Sequence, residues 1–390
     1  MTSSAAFIGL ALAFAVGMIG TTLPTPLYPD YQQAMGFSQL TITVIFAVYA
    51  LGVVASLLIF GRWSDQLGRR PMLLAALALS AATDLMFLQA DGLMAILAAR
   101  VLSGLSAGIL TTTASVAVME AAPEGKRRAG TLAATAANMG GLGLGPIFAG
   151  VIASLLPQPL IWPYALHLLL VVVAVVFVLR ANETVERKPS PDLGVQRPAL
   201  PSDAASVFVP AAVAAFAGFM VCGFFTAVAP GVMTRDLNYS NPALIGLVAG
   251  ILFLASTLGQ AVLDRIPEKR RLPVGTAVLL AGVLVVAMAL GLRMLAPLLA
   301  GAVIAGIGQG IAFRAGLAAV VGATSEDRRA ATTASYFIVA YIAISLPVVG
   351  VGLLSGAIGL HVTSLVFAGL VAALCCAALV MLIRKRSVPS

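Results

Sequence analysis

The chain has 390 residues, of which 60% are hydrophobic and only 10% are charged. A soluble globular protein carries about a quarter charged residues, so this composition excludes an ordinary water-soluble fold and points to lipid as the solvent. The net charge of +8 does not indicate nucleic acid, because that reading needs basic residues gathered on one solvated face, and here they sit in short gaps between apolar runs.

A helix needs about 20 apolar residues to cross the hydrocarbon core. In chain order such segments fall at 5–27, 39–60, 72–90, 93–119, 129–155 and 161–180. They resume at 207–230, 242–264, 273–291, 296–322, 330–355 and 362–383. The first follows no basic n-region and is too long for the apolar core of a signal peptide, so it reads as a span. The fold class is therefore an all-α membrane protein with twelve transmembrane helices. They divide into two six-helix bundles, residues 1–180 and 207–390, joined by a cytoplasmic linker at 181–206 whose proline and charge content suits a flexible connection.

Lysine and arginine are retained on the cytoplasmic side. With the N-terminus inside, the inside loops hold Arg62, Arg69, Arg70, Lys126, Arg127, Arg128, Arg180, Arg187, Lys188 and Arg197 in the first half and linker. The second half adds Arg265, Lys269, Arg270, Arg271, Arg328, Arg329, Arg384, Lys385 and Arg386, for 19 of the 23 basic residues. Arg235 and Arg293 fall outside, and Arg100 and Arg314 lie within helices. This predicts a multi-pass protein of the cell inner (cytoplasmic) membrane with both termini cytoplasmic. Cys222, Cys375 and Cys376 have neither zinc-site nor disulfide spacing and read as small buried hydrophobes.

An internal repeat underlies the twelve spans. Shifted by 202 residues, the fourth span overlays the tenth without a gap: VLSGLSAGI at 101–109 meets VIAGIGQGI at 303–311, and Glu124, Arg127 and Thr131 meet Glu326, Arg329 and Thr333. Parallel repeats of this kind place a substrate site near the midplane, between the halves.

Three motifs carry a resemblance to a known family. GRWSDQLGRR at 61–70, in the loop after the second span, resembles the major facilitator signature G-x-L-a-D-r-x-G-r-k, with Trp63 and Gln66 where leucine and a frequent arginine stand. LAARVLSG at 97–104 is similar to the family's R-x-x-q-G motif, with Ser103 for glutamine. GLGLGPIFAG at 141–150, with Gly141, Gly145, Pro146 and Gly150, looks like the motif associated with 12-span drug:proton antiporters. The resemblance implies that Gly61, Asp65, Gly68, Arg69, Arg70 and Glu120 form a gating network. Asp65 would meet a neighbouring helix N-terminus, Glu120 would pair with Arg69 or Arg70, and the network would latch one access state. The plainer alternative is that these charges only enforce topology. A worn second copy of the loop motif surrounds Gly259, Asp264 and Arg265. In the fifth span, proline frees a carbonyl and small residues let helices approach.

Ionisable groups inside the membrane default to functional hypotheses. Arg100 lies about 12 Å and Asp84 roughly 9 Å below the outer surface, from the rise per residue, so the two are expected to pair on adjacent helices. Asp84 with Arg100 is then a candidate proton-coupling pair, or a static ion pair that locks the bundle. Arg314 either anchors an anionic or carbonyl-rich substrate group or bonds free backbone carbonyls. His167 and His361, near the outer ends of their helices, either titrate near neutrality or serve in structural hydrogen bonding, the reading preferred for each. Tyr49, Asn138, Gln260, Gln309, Tyr336 and Tyr341, with Phe224 from the run Phe216, Phe219, Phe224 and Phe225, are candidates for a mostly apolar substrate cavity.

The resemblance implies a secondary transporter working by alternating access with proton coupling, and the fifth-span motif and the cavity inventory favour efflux of amphipathic organic compounds. The alternative is a dedicated importer or exporter of one small, anionic metabolite. No nucleophile–base constellation, phosphate loop or metal cluster is present in the sequence, so no enzyme, cofactor or metal is expected. The expected partners are a small-molecule substrate, protons and the lipid bilayer, acting on a monomer.

Overall fold

The protein is described by a computed structural model over residues 3–185, 189–191, 193–199 and 204–386. Part of the expected linker, 186–188, 192 and 200–203, lies outside the described residues, and with it Arg187 and Lys188. Backbone N–H and C=O groups in lipid have to bond one another, which for a single segment means a helix. Among the described residues there are twelve helices long and apolar enough to span a membrane, and the protein is a multi-pass, all-α membrane protein. They are α1 (Ser4–Met35), α2 (Gln39–Phe60), α3 (Arg69–Leu88), α4 (Leu93–Glu120), α5 (Arg128–Leu155) and α6 (Trp162–Arg180). The second set is α7 (Ala205–Arg235), α8 (Pro242–Arg265), α9 (Glu268–Leu292), α10 (Leu295–Gly322), α11 (Arg329–Ile358) and α12 (Leu360–Arg384).

Several helices outrun the apolar segments that announce them. α1 passes through a 3-10 turn at Thr25–Leu27, among Pro24 and Pro26, and continues to Met35, where Gly36 closes it with φ 68°. A left-handed residue after the last turn is the usual helix stop. One π-helical turn interrupts each of α4 (Leu110–Ala114), α5 (Ala136–Gly140) and α7 (Phe224–Val228).

The chain divides into two compact units. The first comprises Met1–Gly36, Val48–Gln196 and Asn241–Gly250; the second comprises Phe37–Ala47, Arg197–Ser240 and Ile251–Ser390. The start of α8 thus belongs to the first unit and the start of α2 to the second. Within the first unit, α3 packs on α4 and α6, and α1 on α5 and α6, around a core that includes Phe14, Met18, Leu77, Leu110 and Val171. Within the second, α9 packs on α10 and α12, and α7 on α10 and α11.

Lipid tails are as apolar as leucine, so helix association rests on close packing and interhelical hydrogen bonds. The repeat supplies both units with the same contact. A Cβ on Gly104 would strike the Tyr49 carbonyl of α2, and one on its repeat mate Gly306 would strike the Leu252 carbonyl of α8. Gly108 and its mate Gly310 meet Ser56 and Ser256 one turn further on. Cys222 and Cys375 are buried as expected, whereas Cys376 faces outward; the two are adjacent on α12, so one face of the helix cannot hold both.

Candidate functional site

The loop between α2 and α3 folds around one guanidinium. Arg69, at the start of α3, donates to Ser64 Oγ at 2.7 Å, to the Asp65 carboxylate and to Glu120 Oε1 at 3.1 Å. Thr184 donates to the other Glu120 oxygen at 2.6 Å. A five-donor, always-charged fork suits such a shared position. The expected pairing of Glu120 with Arg69 is thereby present. Gly61 leaves the space where Gln196 lies, and the Gln196 amide donates to the Leu58 carbonyl at 2.8 Å.

The carboxylate on a helix N-terminus is not the one expected. Asp65 is engaged by Arg69, while Glu183 accepts from the backbone amides of Arg69 and Arg70 at 2.8 and 3.0 Å. An acceptor there meets the unsatisfied N–H groups and the positive end of the helix dipole. Gly68 makes the approach possible: its φ of 102° suits glycine, and a Cβ would press on the Glu183 carboxylate. Sequence reading missed Glu183 because it sits in the polar stretch assigned to the linker, where nothing marks one carboxylate out.

Asp84 and Arg100, expected to pair, do not. Asp84 Oδ2 lies 2.7 Å from His167 Nδ1 of α6, and His167 Nε2 lies 2.9 Å from the Val16 carbonyl of α1. Arg100 instead donates to the Thr21 carbonyl at 2.8 Å and sits 4.5 Å above the Tyr49 ring, a cation–π distance. Depth along the helices was matched, but rotation about them was not: α3 also faces α6, and the long Arg100 side chain reaches across to α1. Asp84, Arg100 and His167 are each 1% exposed or less. His167 is thus hydrogen-bonded on both ring nitrogens, to Asp84 and to Val16.

The α5 motif acts as a packing face. Gly141 and Gly145 lie against α1 at Ala15 and Ile19, and Gly150 lies against Pro242 of α8. Proline cannot donate to the carbonyl four residues earlier, here that of Leu142, and the Thr22 hydroxyl takes it at 2.8 Å. Asn138 is half-buried in the π turn just before the motif.

Six of the cavity candidates fall in the second unit. The Gln309 side-chain oxygen accepts from Ser256 Oγ at 2.6 Å, and the amide nitrogens of Gln309 and Gln260 are buried without a partner. Arg314 donates to the Gln260 carbonyl at 2.7 Å, the backbone option among its expected roles. Tyr336 stacks on Phe313 at 5.6 Å, Tyr341 and Phe219 stand 6.4 Å apart, and Phe224 stacks on Phe367 at 5.6 Å. At the worn second motif, Arg271 stands 3.9 Å from Asp264 and donates to the Ile266 carbonyl at 3.0 Å. Between α7 and α8, Asp236 stands 3.9 Å from His361. Burial pushes the Asp236 carboxyl above the ordinary carboxylate range, against the opposing pull of His361, Arg293 and Arg235. Among the described residues, no group of three or more His, Cys, Asp or Glu is placed to hold a metal.

Residues 10–346 match the sequence model described as Major Facilitator Superfamily. Multidrug resistance protein 2 of Bacillus subtilis is 26% identical over 185 residues, covering 47% of this chain and 46% of that protein. Tetracycline resistance protein, class D, of Salmonella ordonez is 29% identical over 189 residues, covering 47% and 46%. The chain thus spans less than half the length of these curated relatives. A bacterial homolog to the human lysosomal transporter Spinster superposes over 100% of this chain and 99% of its own, with TM-score 0.73 and 16% identity. The human organic anion transporter MFSD10 gives TM-score 0.66 and 18% identity over 98% and 100%. At these identities the likeness is one of fold.

Proposed function

The chain belongs to the major facilitator superfamily, and from that premise we propose that it is a secondary transporter exporting amphipathic organic compounds in exchange for protons. The observation that carries this reading is the α5 motif, a Gly–Pro face held on α1 with its freed carbonyl taken by Thr22. Partial likeness to proteins named for multidrug and tetracycline resistance supports the same substrate class.

On this reading the protein sits in the cell inner membrane as a monomer, with both termini and the basic loops cytoplasmic. Two six-span halves joined by residues 181–206 alternate access to a cavity whose candidate lining is Tyr49, Asn138, Phe224, Gln260, Gln309, Arg314, Tyr336 and Tyr341. The Arg69 cluster, closed by Glu120 and Glu183, acts as the latch of one access state.

A second reading rests on Arg314. Its Nη1 bonds the Gln260 carbonyl, and a guanidinium carries five donors, so the remaining ones are chemistry for an anionic metabolite. Inside-out vesicles holding a preformed proton gradient test both. Lipophilic cations and neutral amphipaths should collapse the gradient in wild type, and Arg314→Gln should leave most of that activity. If instead a single anionic compound alone is carried and Arg314→Gln abolishes it, the dedicated-transporter reading replaces the first.

A further inference from the structure

The hydrogen-bond geometry at His167 bears on how many protons the Asp84–His167 pair holds. A carbonyl oxygen can only accept, so the 2.9 Å contact with Val16 requires a proton on Nε2. A neutral imidazole protonated there has a bare Nδ1, which cannot donate to a carboxylate. The 2.7 Å contact between Nδ1 and Asp84 Oδ2 therefore contains a second proton. Whether it rests on nitrogen, as imidazolium beside carboxylate, or on oxygen, as imidazole beside carboxylic acid, the pair is neutral overall. The site is built for the ring: a Cβ on Gly20 of α1 would strike His167 Cε1.

We propose that Asp84 and His167 form a proton-binding site whose occupancy ties α3 and α6 to α1. The proposal rests on the proton-coupled reading above and names its coupling site. Loss of the proton to water leaves one ring N–H and two acceptors, the Asp84 carboxylate and the Val16 carbonyl. If the proton stays on Nδ1, a bare Nε2 faces Val16 and the tie to α1 breaks. If it stays on Nε2, a bare Nδ1 faces a buried carboxylate and the tie between α3 and α6 breaks. Either way the pair carries one negative charge where burial makes charge costly. Proton release and a change in helix packing are then one event.

The surroundings suit a charge that comes and goes. Gly17, Gly20, Thr21, Ser80, Thr83 and Ser106 line a narrow crevice beside Asp84. Arg100 of α4 is held on the carbonyl of Thr21, a residue of that crevice, and lies over the Tyr49 ring. Tyr31 of α1 donates to the Tyr164 hydroxyl of α6 at 3.0 Å. The cluster of Asp65, Arg69 and Glu120 belongs to the α2–α3 loop and the end of α4. Arg100 is thus engaged by Thr21 and Tyr49 rather than by Asp84, which has His167 as its partner.

Asp84→Asn separates a proton site from a structural bond. An asparagine amide donates to Nδ1 of a neutral His167 while Nε2–H keeps Val16, which copies the loaded state without an exchangeable proton. The test uses the full chain in liposomes, with pH-dependent infrared difference spectra and thermal midpoints of wild type, Asp84→Asn and His167→Gln. The expected result is a carboxyl–imidazole titration in wild type that Asp84→Asn loses and His167→Gln alters. The Asp84→Asn midpoint should match wild type at acid pH and not follow its fall as pH rises. Identical titrations in wild type and Asp84→Asn overturn the proposal. Vesicle flux keeps the two readings apart. Proton movement that persists in Asp84→Asn overturns the site and leaves antiport standing. A titration lost in Asp84→Asn, with no proton movement in wild type, keeps the site and removes antiport.

Discussion

The two units share the glycine contacts of one repeat and differ in the polar groups they bury. The first buries Asp84, Arg100 and His167. The second fills its interior with rings and amides: Phe313 against Tyr336, Phe224 against Phe367, and Gln309 on Ser256. In the gapless overlay of α4 on α10, Arg100 falls on Ala302 and Ala107 on Gln309, while Gly104 and Gly108 fall on Gly306 and Gly310. The close-packing positions agree and the polar ones diverge. Sterics at a helix crossing admit glycine and little else, so those sites hold whatever the unit does. The polar interior is where the units differ, a buried Asp84–His167 pair in the first and the Gln309–Ser256 bond in the second.

The largest effect expected tests the shared part of that comparison. Gly104→Val and Gly306→Val each drive a side chain into a backbone carbonyl of the neighbouring helix, and backbone cannot step aside as a side-chain tip can. Each should cost about 3 kcal/mol and lower the thermal midpoint in detergent by roughly 6–12 °C, at about 2–4 °C per kcal/mol. Equal falls support equivalent crossings. A fall in one variant alone would mean that the two units use their matched glycines differently.

The loop motif and its worn copy differ by a smaller amount. Arg69 has a side-chain exposure of 10% and serves Ser64, Asp65 and Glu120, whereas Arg271 is 26% exposed and 3.9 Å from Asp264. Removing one member of a buried charge cluster leaves the others uncompensated. Because Asp65 and Glu120 are themselves 62% and 34% exposed, solvent screening holds the loss for Arg69→Ala to about 2 kcal/mol. Arg271→Ala should cost less than about 1 kcal/mol. Midpoints measured side by side decide the matter, and a larger loss at Arg271 would make the worn copy the principal clasp. Glu183→Gln should fall between them, at about 1 kcal/mol, as a weakened cap on α3.

Much of this architecture was legible in the residues, for reasons that differ by feature. The spans were readable because lipid allows one backbone solution per segment, and the α5 motif because a proline's missing donor has a fixed consequence, here met by Thr22. Side-chain partners were less readable. Asp84 and Arg100 were matched in depth, but a pair also needs matching rotation about the helix axes, and Asp84 meets His167 of α6 instead. Glu183 was hidden for another reason. Its role depends on where the chain folds back after α6, and no local pattern in a polar stretch records that. The compact units likewise take residues 37–47 and 241–250 from the far side of a cut at the linker, which sequence order alone does not suggest.

The smallest effect expected compares the two carboxylate–histidine pairs. Asp84 and His167 share a hydrogen bond inside the first unit, whereas Asp236 and His361 stand 3.9 Å apart in the second, with Asp236 between two spans. Burial raises the Asp236 carboxyl, so the fold prefers its neutral form. A raised carboxyl contributes stability that is complete below the unfolded-chain value near 3.9. That contribution is lost as pH rises through the folded value, so at neutral pH Asp236 weakens the fold. Asp236→Asn should therefore raise the midpoint at neutral pH, by less than about 1 kcal/mol after screening, and leave it nearly unchanged in strong acid. A lower midpoint at neutral pH would mean that the attraction of His361, Arg293 and Arg235 outweighs burial. The second unit would then hold a working ion pair, and its contrast with the buried Asp84–His167 pair of the first would rest on the spans alone.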